Sequence, residues 1–115
     1  MKAVIALPPV LDFYFTPARS SALGARVLER ELKEAGWTVK LMNLPMYGKA
    51  ATVPLPDCLG YLKKYIISDE TGPVSWFTSY HRFGPDPEEA AALIGDEAPD
   101  CVFISCFAWA YAEEA

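Results

Sequence analysis

One histidine, three cysteines, and fifteen aspartates and glutamates are the groups from which this chain could assemble a reactive site. His81 lies in an aromatic stretch beside Tyr80 and Arg82. An imidazole there could ligate a metal or shuttle a proton, but a partly packed amphipathic ring is the preferred reading. Cys58, Cys101 and Cys106 are scattered, and neither a C-x-x-C nor an H-x-x-x-H spacing occurs, so no three- or four-ligand metal site is expected. The G-x-S-x-G elbow is missing, as are G-x-G-x-x-G and G-x-x-x-x-G-K-[ST], which argues against a serine nucleophile, a dinucleotide fold and a P-loop. Asp12 and His81 could still meet as an acid–base pair, since residues distant in sequence can be neighbours in the fold. Ser105 stands at the carboxyl end of an apolar strand, where a hydroxyl needs a hydrogen-bond partner or must face a crevice. A backbone bond, a cap for a following helix and a crevice-lining role all stay open. Trp76, Phe77, Tyr80 and Phe83 recur near the helical period and read first as core packing, second as a ligand-facing wall. Glu113 and Glu114 read as a solvated helix face.

These side chains depend on the elements that carry them. Residues 2–7 form a strand without strict alternation, which implies burial on both faces, and Pro8-Pro9 ends it. Residues 10–19 read as an aromatic loop, long for a connection between strand and helix and therefore suited to function. Ser20 or Ser21 can cap a helix that runs to about Ala35, with Leu23, Val27, Leu28, Leu32 and Ala35 on one stripe. Glu29–Lys33 and Arg30–Glu34 are i,i+4 pairs on its other side, and Gly36 suits the left-handed residue after its end. Residues 38–44 form the second strand, which completes a βαβ crossover of right-handed sense.

Residues 45–85 hold five of the ten prolines. They read as an irregular or helical insertion, with a short helix over 57–67. Asp86 caps a helix over 87–94 that has Pro87 at its first position. Residues 101–107 read as a fully buried third strand, and residues 108–115 as the start of a further helix. A strand feeding a helix needs another strand to return to. The chain is therefore expected to be the opening of a larger α/β domain, or a subunit completed by a partner. The fold class expected is α/β, a three-layer flavodoxin-like (Rossmann-like) parallel sheet, incomplete, with strand order 2-1-3. One partial domain spans 1–115, divided into a βαβ unit over 1–44, the insertion over 45–85, and the helix, third strand and incipient helix over 86–115.

Composition bounds the partners. The chain is 52% hydrophobic with a mean hydropathy of +0.12, which excludes disorder as its main state. A net charge of −5 without a basic stripe argues against nucleic acid. No apolar run reaches the roughly 18–20 residues that span a bilayer, and the first residues lack the layout of a signal peptide. An odd number of cysteines, two of them in an apolar strand, fits a reducing compartment, so a cytoplasmic location is expected.

In open α/β sheets, ligands bind beyond the carboxyl ends of the strands where strand order switches. That rule places a crevice between the loops after the first and third strands. Its lining would be Pro9, Val10, Leu11 and Asp12 on one side and Ser105, Cys106 and Phe107 on the other, with Asp12 the nearest charge. Such a lining favours a large flat or apolar ligand over a phosphate. Several segments then carry a family resemblance. They are Val4-Ile-Ala-Leu-Pro-Pro9 with its aromatic loop, Gly24-Ala-Arg-Val-Leu-Glu-Arg-Glu-Leu-Lys-Glu-Ala-Gly-Trp37, Tyr80-His-Arg-Phe-Gly84, Pro87-Glu-Glu89, and Pro99-Asp-Cys-Val-Phe-Ile-Ser-Cys-Phe107 followed by Tyr111-Ala-Glu-Glu-Ala115. In this order they resemble the amino-terminal cobalamin (B12)-binding-like domain of B12-binding radical S-adenosylmethionine proteins. The resemblance implies a flavodoxin-like fold, corrin contacts from the loops after strands one and three, and a nucleotide-tail cavity lined by a serine. Ser105-Cys-Phe107 matches that serine and departs from the S-x-L or S-x-T pattern at its third position. No D-x-H-x-x-G is present, so a bound cobalamin would lack that histidine ligand. No C-x-x-x-C-x-x-C is present either, so no iron–sulfur cluster and no catalysis are expected of this chain alone.

The leading expectation is thus a non-catalytic cobalamin-binding-like domain that works with a carboxy-terminal radical domain. The alternative is an α/β interaction or dimerisation module without cofactor, forming a homo-oligomer through an exposed sheet edge. Neither reading involves a nucleic acid or a membrane. A small enzyme of other chemistry is disfavoured by the missing motifs.

Overall fold

The structure, a computed structural model, describes residues 1–13, 21–65 and 79–106. The expectations for Ser20, Trp76, Phe77, Phe107 and the segment 108–115 fall outside the described residues. Strand β1 (Lys2–Leu7) is the axis of the molecule: residues Ala3 to Leu7 are all at most 2% exposed. Its apolar run carries no polar alternation because both of its faces are covered. Pro8 and Pro9, which have no N–H to offer a ladder, end it and are themselves buried. The chain turns at once into a short strand β2 (Val10–Asp12), where a loop was expected.

Helix α1 (Leu23–Glu34) follows. Its expected serine cap is not used. Ala22 occupies the capping position with φ +51° and makes no side-chain cap bond. The face turned to the sheet is Ala25, Leu28 and Leu32, packed on Ile5 and Leu7, whereas Leu23 and Val27 of the expected stripe are exposed. Small Ala25 lets the helix axis approach the sheet; the larger side chains flank that line of contact. The helix stops as expected. Gly36 has φ +86°, Trp37 N–H donates to Leu32 O and Gly36 N–H to Lys33 O, both at 3.0 Å, a Schellman closure. The ion pairs Lys33–Glu29 (2.7 Å) and Arg30–Glu34 (3.7 Å) lie on the outer face.

Strand β3 (Thr38–Asn43) lies parallel to β1, with Lys2 opposite Thr38 and Leu7 opposite Asn43. A single 3-10 turn (Leu44–Met46), strand β4 (Ala51–Thr52) and a longer 3-10 segment (Asp57–Tyr65) occupy the insertion. Strand β5 (His81–Phe83) stands where a short helix or irregular cover was expected. Helix α2 (Pro87–Asp96) begins as read from sequence: Asp86 Oδ1 accepts a hydrogen bond from Glu89 N–H at 2.8 Å, with Pro87 in the first turn. Strand β6 (Cys101–Ile104) closes the described chain, parallel to β1 on the side away from β3.

Two sheets result, one parallel in the order β3-β1-β6 and one antiparallel in the order β2-β5-β4. The parallel order differs from the expected 2-1-3 because three short strands, too brief to show alternation, enter the count. The chain steps from β1 to β3 in one direction and then crosses back over β1 to β6. Crossovers of one hand that run in opposite directions place their helices on opposite faces. That is the arrangement found. Val4, Ala6, Met42 and Leu44 pack against Ala90 with Leu93 and Ile94 of α2, and Ile5 and Leu7 pack against α1. The third strand is not fully buried, contrary to its apolar sequence. Its residues alternate between half-buried and exposed, with Val102 40% and Ile104 52% exposed, because α2 covers β1 and β3 and stops short of β6.

The amino end of the sheet is tied by charge. Lys2 N–H donates to Asp100 Oδ2 (2.7 Å) and Asp100 N–H to Lys2 O (2.8 Å). Glu97 bridges Lys40, which hydrogen-bonds its Oε1, and Lys2, 3.4 Å from its Oε2. The hydrogen bond from Lys40, and then that from Lys2, hold the Glu97 carboxyl below its usual range, and Glu97 in turn raises Lys40.

Candidate functional site at the carboxyl end of the sheet

The parallel strands end together at Leu7, Asn43 and Ile104. Strand order reverses at β1, so the crevice rule points to the gap between β1 and β6. Two hollows lie there, one on each face. On the α1 side a cleft of about 370 Å³ is lined by Ile5, Gly24, Leu28, Phe103 and Ser105 among others. On the α2 side a groove of about 200 Å³ is lined by Pro8, Pro9, Leu44, Ala90 and Ile104 with their apolar neighbours. The first falls within the roughly 300–1,000 Å³ of small-molecule sites and the second below it.

Ser105 is half-buried at the mouth of the larger cleft. Its N–H continues the ladder to Ala6 O at 2.9 Å, which fixes the residue against β1. Among the described residues its hydroxyl has no hydrogen-bond partner; the helix it was expected to cap lies outside the described residues. Cys106 is exposed and Cys101 half-buried, both as free thiols, like the exposed Cys58. The two strand thiols are thus less enclosed than an apolar run suggests.

The other expected wall is built differently. Pro9, Val10 and Leu11 are buried, so Val10 and Leu11 serve as packing rather than as lining, while Pro9 contributes to the floor of the smaller groove. Asp12 is half-buried and its Oδ1 accepts from Phe13 N–H at 2.7 Å. Asp12 pairs across the small sheet with His81, so the two residues named as a conceivable acid–base pair are backbone neighbours. The His81 ring, however, engages hydroxyls: Nε2 is 2.8 Å from Ser79 Oγ and Nδ1 3.4 Å from Thr52 Oγ1. Its edge meets Phe83 at 5.8 Å between ring centroids. This is the partly packed ring read from sequence, held by the hydroxyl of Ser79 just before its own strand and that of Thr52 on the neighbouring β4. Tyr80, 2% exposed, anchors the same sheet through its hydroxyl on Leu11 O (3.4 Å) and its edge contact with Phe13 (5.1 Å). Among the described residues no group of three His, Cys, Asp or Glu side chains could hold a metal ion.

A third hollow, of about 410 Å³, was not foreseen. It lies between the turn after β3, strand β5 and the start of α2, and combines Lys49 and Arg82 with Asp86 and Glu89. The only signal in the sequence is the abundance of Gly and Pro around these residues, which marks turns but not their meeting. Carrying both charge signs, it has no net preference for an anion.

Comparison with protein-family models, curated proteins and solved structures finds no match to this chain. Among the described residues no helix is long and apolar enough to cross a membrane.

Proposed function

We propose that this chain is a cobalamin-binding-like domain of flavodoxin-like type, non-catalytic by itself, that serves a radical S-adenosylmethionine module. The observation that carries the reading is the Ser105 hydroxyl, without a partner among the described residues, at the mouth of the cleft beside the strand-order reversal. The lining suits one end of such a cofactor. Gly24 and Leu28 leave an apolar slot, and Ser105 offers one polar contact at its mouth, a pattern that binds a flat aromatic group and fixes its orientation. The corrin macrocycle is larger than either hollow and would lie across the rim. His81 is committed to Ser79 and Thr52 in the small sheet, so no histidine of the described residues stands at the crevice to ligate cobalt. The cofactor, when bound, supplies the cobalt chemistry; this chain's part is to hold it. A cytoplasmic location belongs to the same reading and rests on three free thiols.

The test is a titration of the chain with hydroxocobalamin, followed by the corrin absorption bands and by calorimetry. Saturable binding that Ser105→Leu weakens supports the proposal. No spectral change or heat up to high micromolar cobalamin removes the function and leaves the fold untouched.

A further inference from the structure

We propose that β6 is a self-pairing edge, through which two copies of this chain join antiparallel about a two-fold axis into one continuous sheet. The two edges of the parallel sheet differ in a way that selects this one. The β3 edge carries exposed Lys40, whose ammonium is bound by Glu97, and a charge on an edge strand blocks pairing. Cys101-Val-Phe-Ile104 has no charge, proline or glycine. Among the described residues no strand pairs with its outer side. On the α2 face Val102 and Ile104 remain 40% and 52% exposed, next to the apolar groove of about 200 Å³.

The same features name the occupant. A two-fold edge contact sets a strand against its own copy, so any charge on it enters the seam twice; β6 carries none, whereas β3 carries Lys40. Joining β6 to β3 of another copy would press Lys40 and Glu97 against an apolar edge and generate an open, head-to-tail array rather than a closed pair.

The register follows from the ladder. Ser105 N–H points to Ala6. The alternation of a strand then turns the N–H and C=O groups of Val102 and Ile104 to the open side. An antiparallel two-fold pairing that satisfies all of these groups sets Val102 opposite Ile104 of the second copy, with Phe103 opposite its own mate at the axis. The Val–Ile pairs cover each other on the α2 face. Cys101 then stands opposite Ser105 of the second copy in a non-hydrogen-bonded pair, with Cα atoms about 4.5 Å apart, inside the range a disulfide spans.

Sedimentation equilibrium of the 115-residue chain should give twice the monomer mass of 12.7 kDa at tens of micromolar. Ile104→Lys, at an exposed position, should raise the dissociation constant by at least about 100-fold, because a charge is set against Val102 of the second copy and diagonal to its own like, with the circular dichroism unchanged. In a Cys58→Ser, Cys106→Ser background, Ser105→Cys should let the introduced thiol cross-link to Cys101 between copies on mild oxidation, and the background alone should not cross-link. Hydrogen exchange on the unmodified chain guards against a variant that misfolds: the amides of Val102 and Ile104 should gain protection as concentration rises. A monomer at hundreds of micromolar overturns the proposal. So does a dimer whose β6 amides show no concentration-dependent protection, or one that survives Ile104→Lys in folded form.

Discussion

Gly84→Ala is the substitution whose cost this structure states most directly. Gly84 is buried, has φ +108°, and backs onto the turn after β3. A methyl group there would lie 2.6 Å from Leu44 O, 3.1 Å from Leu44 C and 3.3 Å from Pro45 Cα. All three are backbone atoms, so no side chain can swing aside. Two penalties add. Holding an alanine at positive φ costs about 1–2 kcal/mol, and forcing two buried segments apart costs about 1–3 kcal/mol. The sum, about 2–5 kcal/mol, is a large part of the roughly 5–15 kcal/mol that stabilises a typical domain. With a urea dependence of about 1–3 kcal/mol per molar, the unfolding midpoint should fall by about 1 M or more. Gly48→Ala separates the two penalties. Gly48 has φ +70° with nothing within 4 Å of the added carbon, so it should lose only the first, about 1–2 kcal/mol. Equal urea midpoints for the two variants would refute the close-approach argument.

Asp86→Ala removes the 2.8 Å cap on Glu89 N–H and should cost about 1 kcal/mol, read as a lower urea midpoint. Gly95→Ala, in α2 with open space around it, should raise that midpoint by about 0.5–1 kcal/mol equivalent, since alanine loses less chain freedom in a helix. Glu97→Gln should flatten the acid limb of stability. The Glu97 carboxyl is held below its ordinary 4.5 by Lys40 first, so its contribution is complete above that pH and disappears as pH falls through the lowered value. Unfolding midpoints measured from pH 6 to pH 3 in low salt should converge between wild type and variant toward the acid end, and added salt should shrink their difference at neutral pH. Ala22→Asn should stabilise α1 by about 0.5–1 kcal/mol, because asparagine tolerates the left-handed conformation found there and can offer a cap.

The main sheet was legible because its signals are local and long enough to repeat. Five apolar residues before a Pro-Pro stop, a helix closed by Gly36, and an Asp-Pro-Glu-Glu start each announce an element within their own stretch. The small sheet was not, because Val10-Leu-Asp12, Ala51-Thr52 and His81-Arg-Phe83 are too short for alternation to be distinguished from chance. What makes them strands is one another, and pairing between residues some seventy positions apart leaves no local trace. The helix stripe departs from its sequence pattern for a different reason. Leu23 and Val27 are large, but the contact is set by where α1 comes nearest the sheet, at Ala25. For β6, an apolar run records what could be buried, not whether a helix lies above it.

The small sheet also decides where a ligand could enter. Pro8-Pro9 ends the β1 ladder and sends the chain into β2; β2 is clasped by β5; and β5 runs into Gly84, which rests on Leu44 at the end of β3. The carboxyl ends of β1 and β3 are thereby joined through buried residues, Pro9, Val10, Leu44 and Pro45. On the β6 side of β1 a cleft remains, and Ser105 stands on it. The glycine contact tested by Gly84→Ala is thus also the point where the small sheet rests on the end of β3. Loosening it should open the β3 side before it disturbs α1 or α2, and hydrogen exchange should report this as earlier loss of protection at Arg82 and Leu44 than at Leu28 or Leu93.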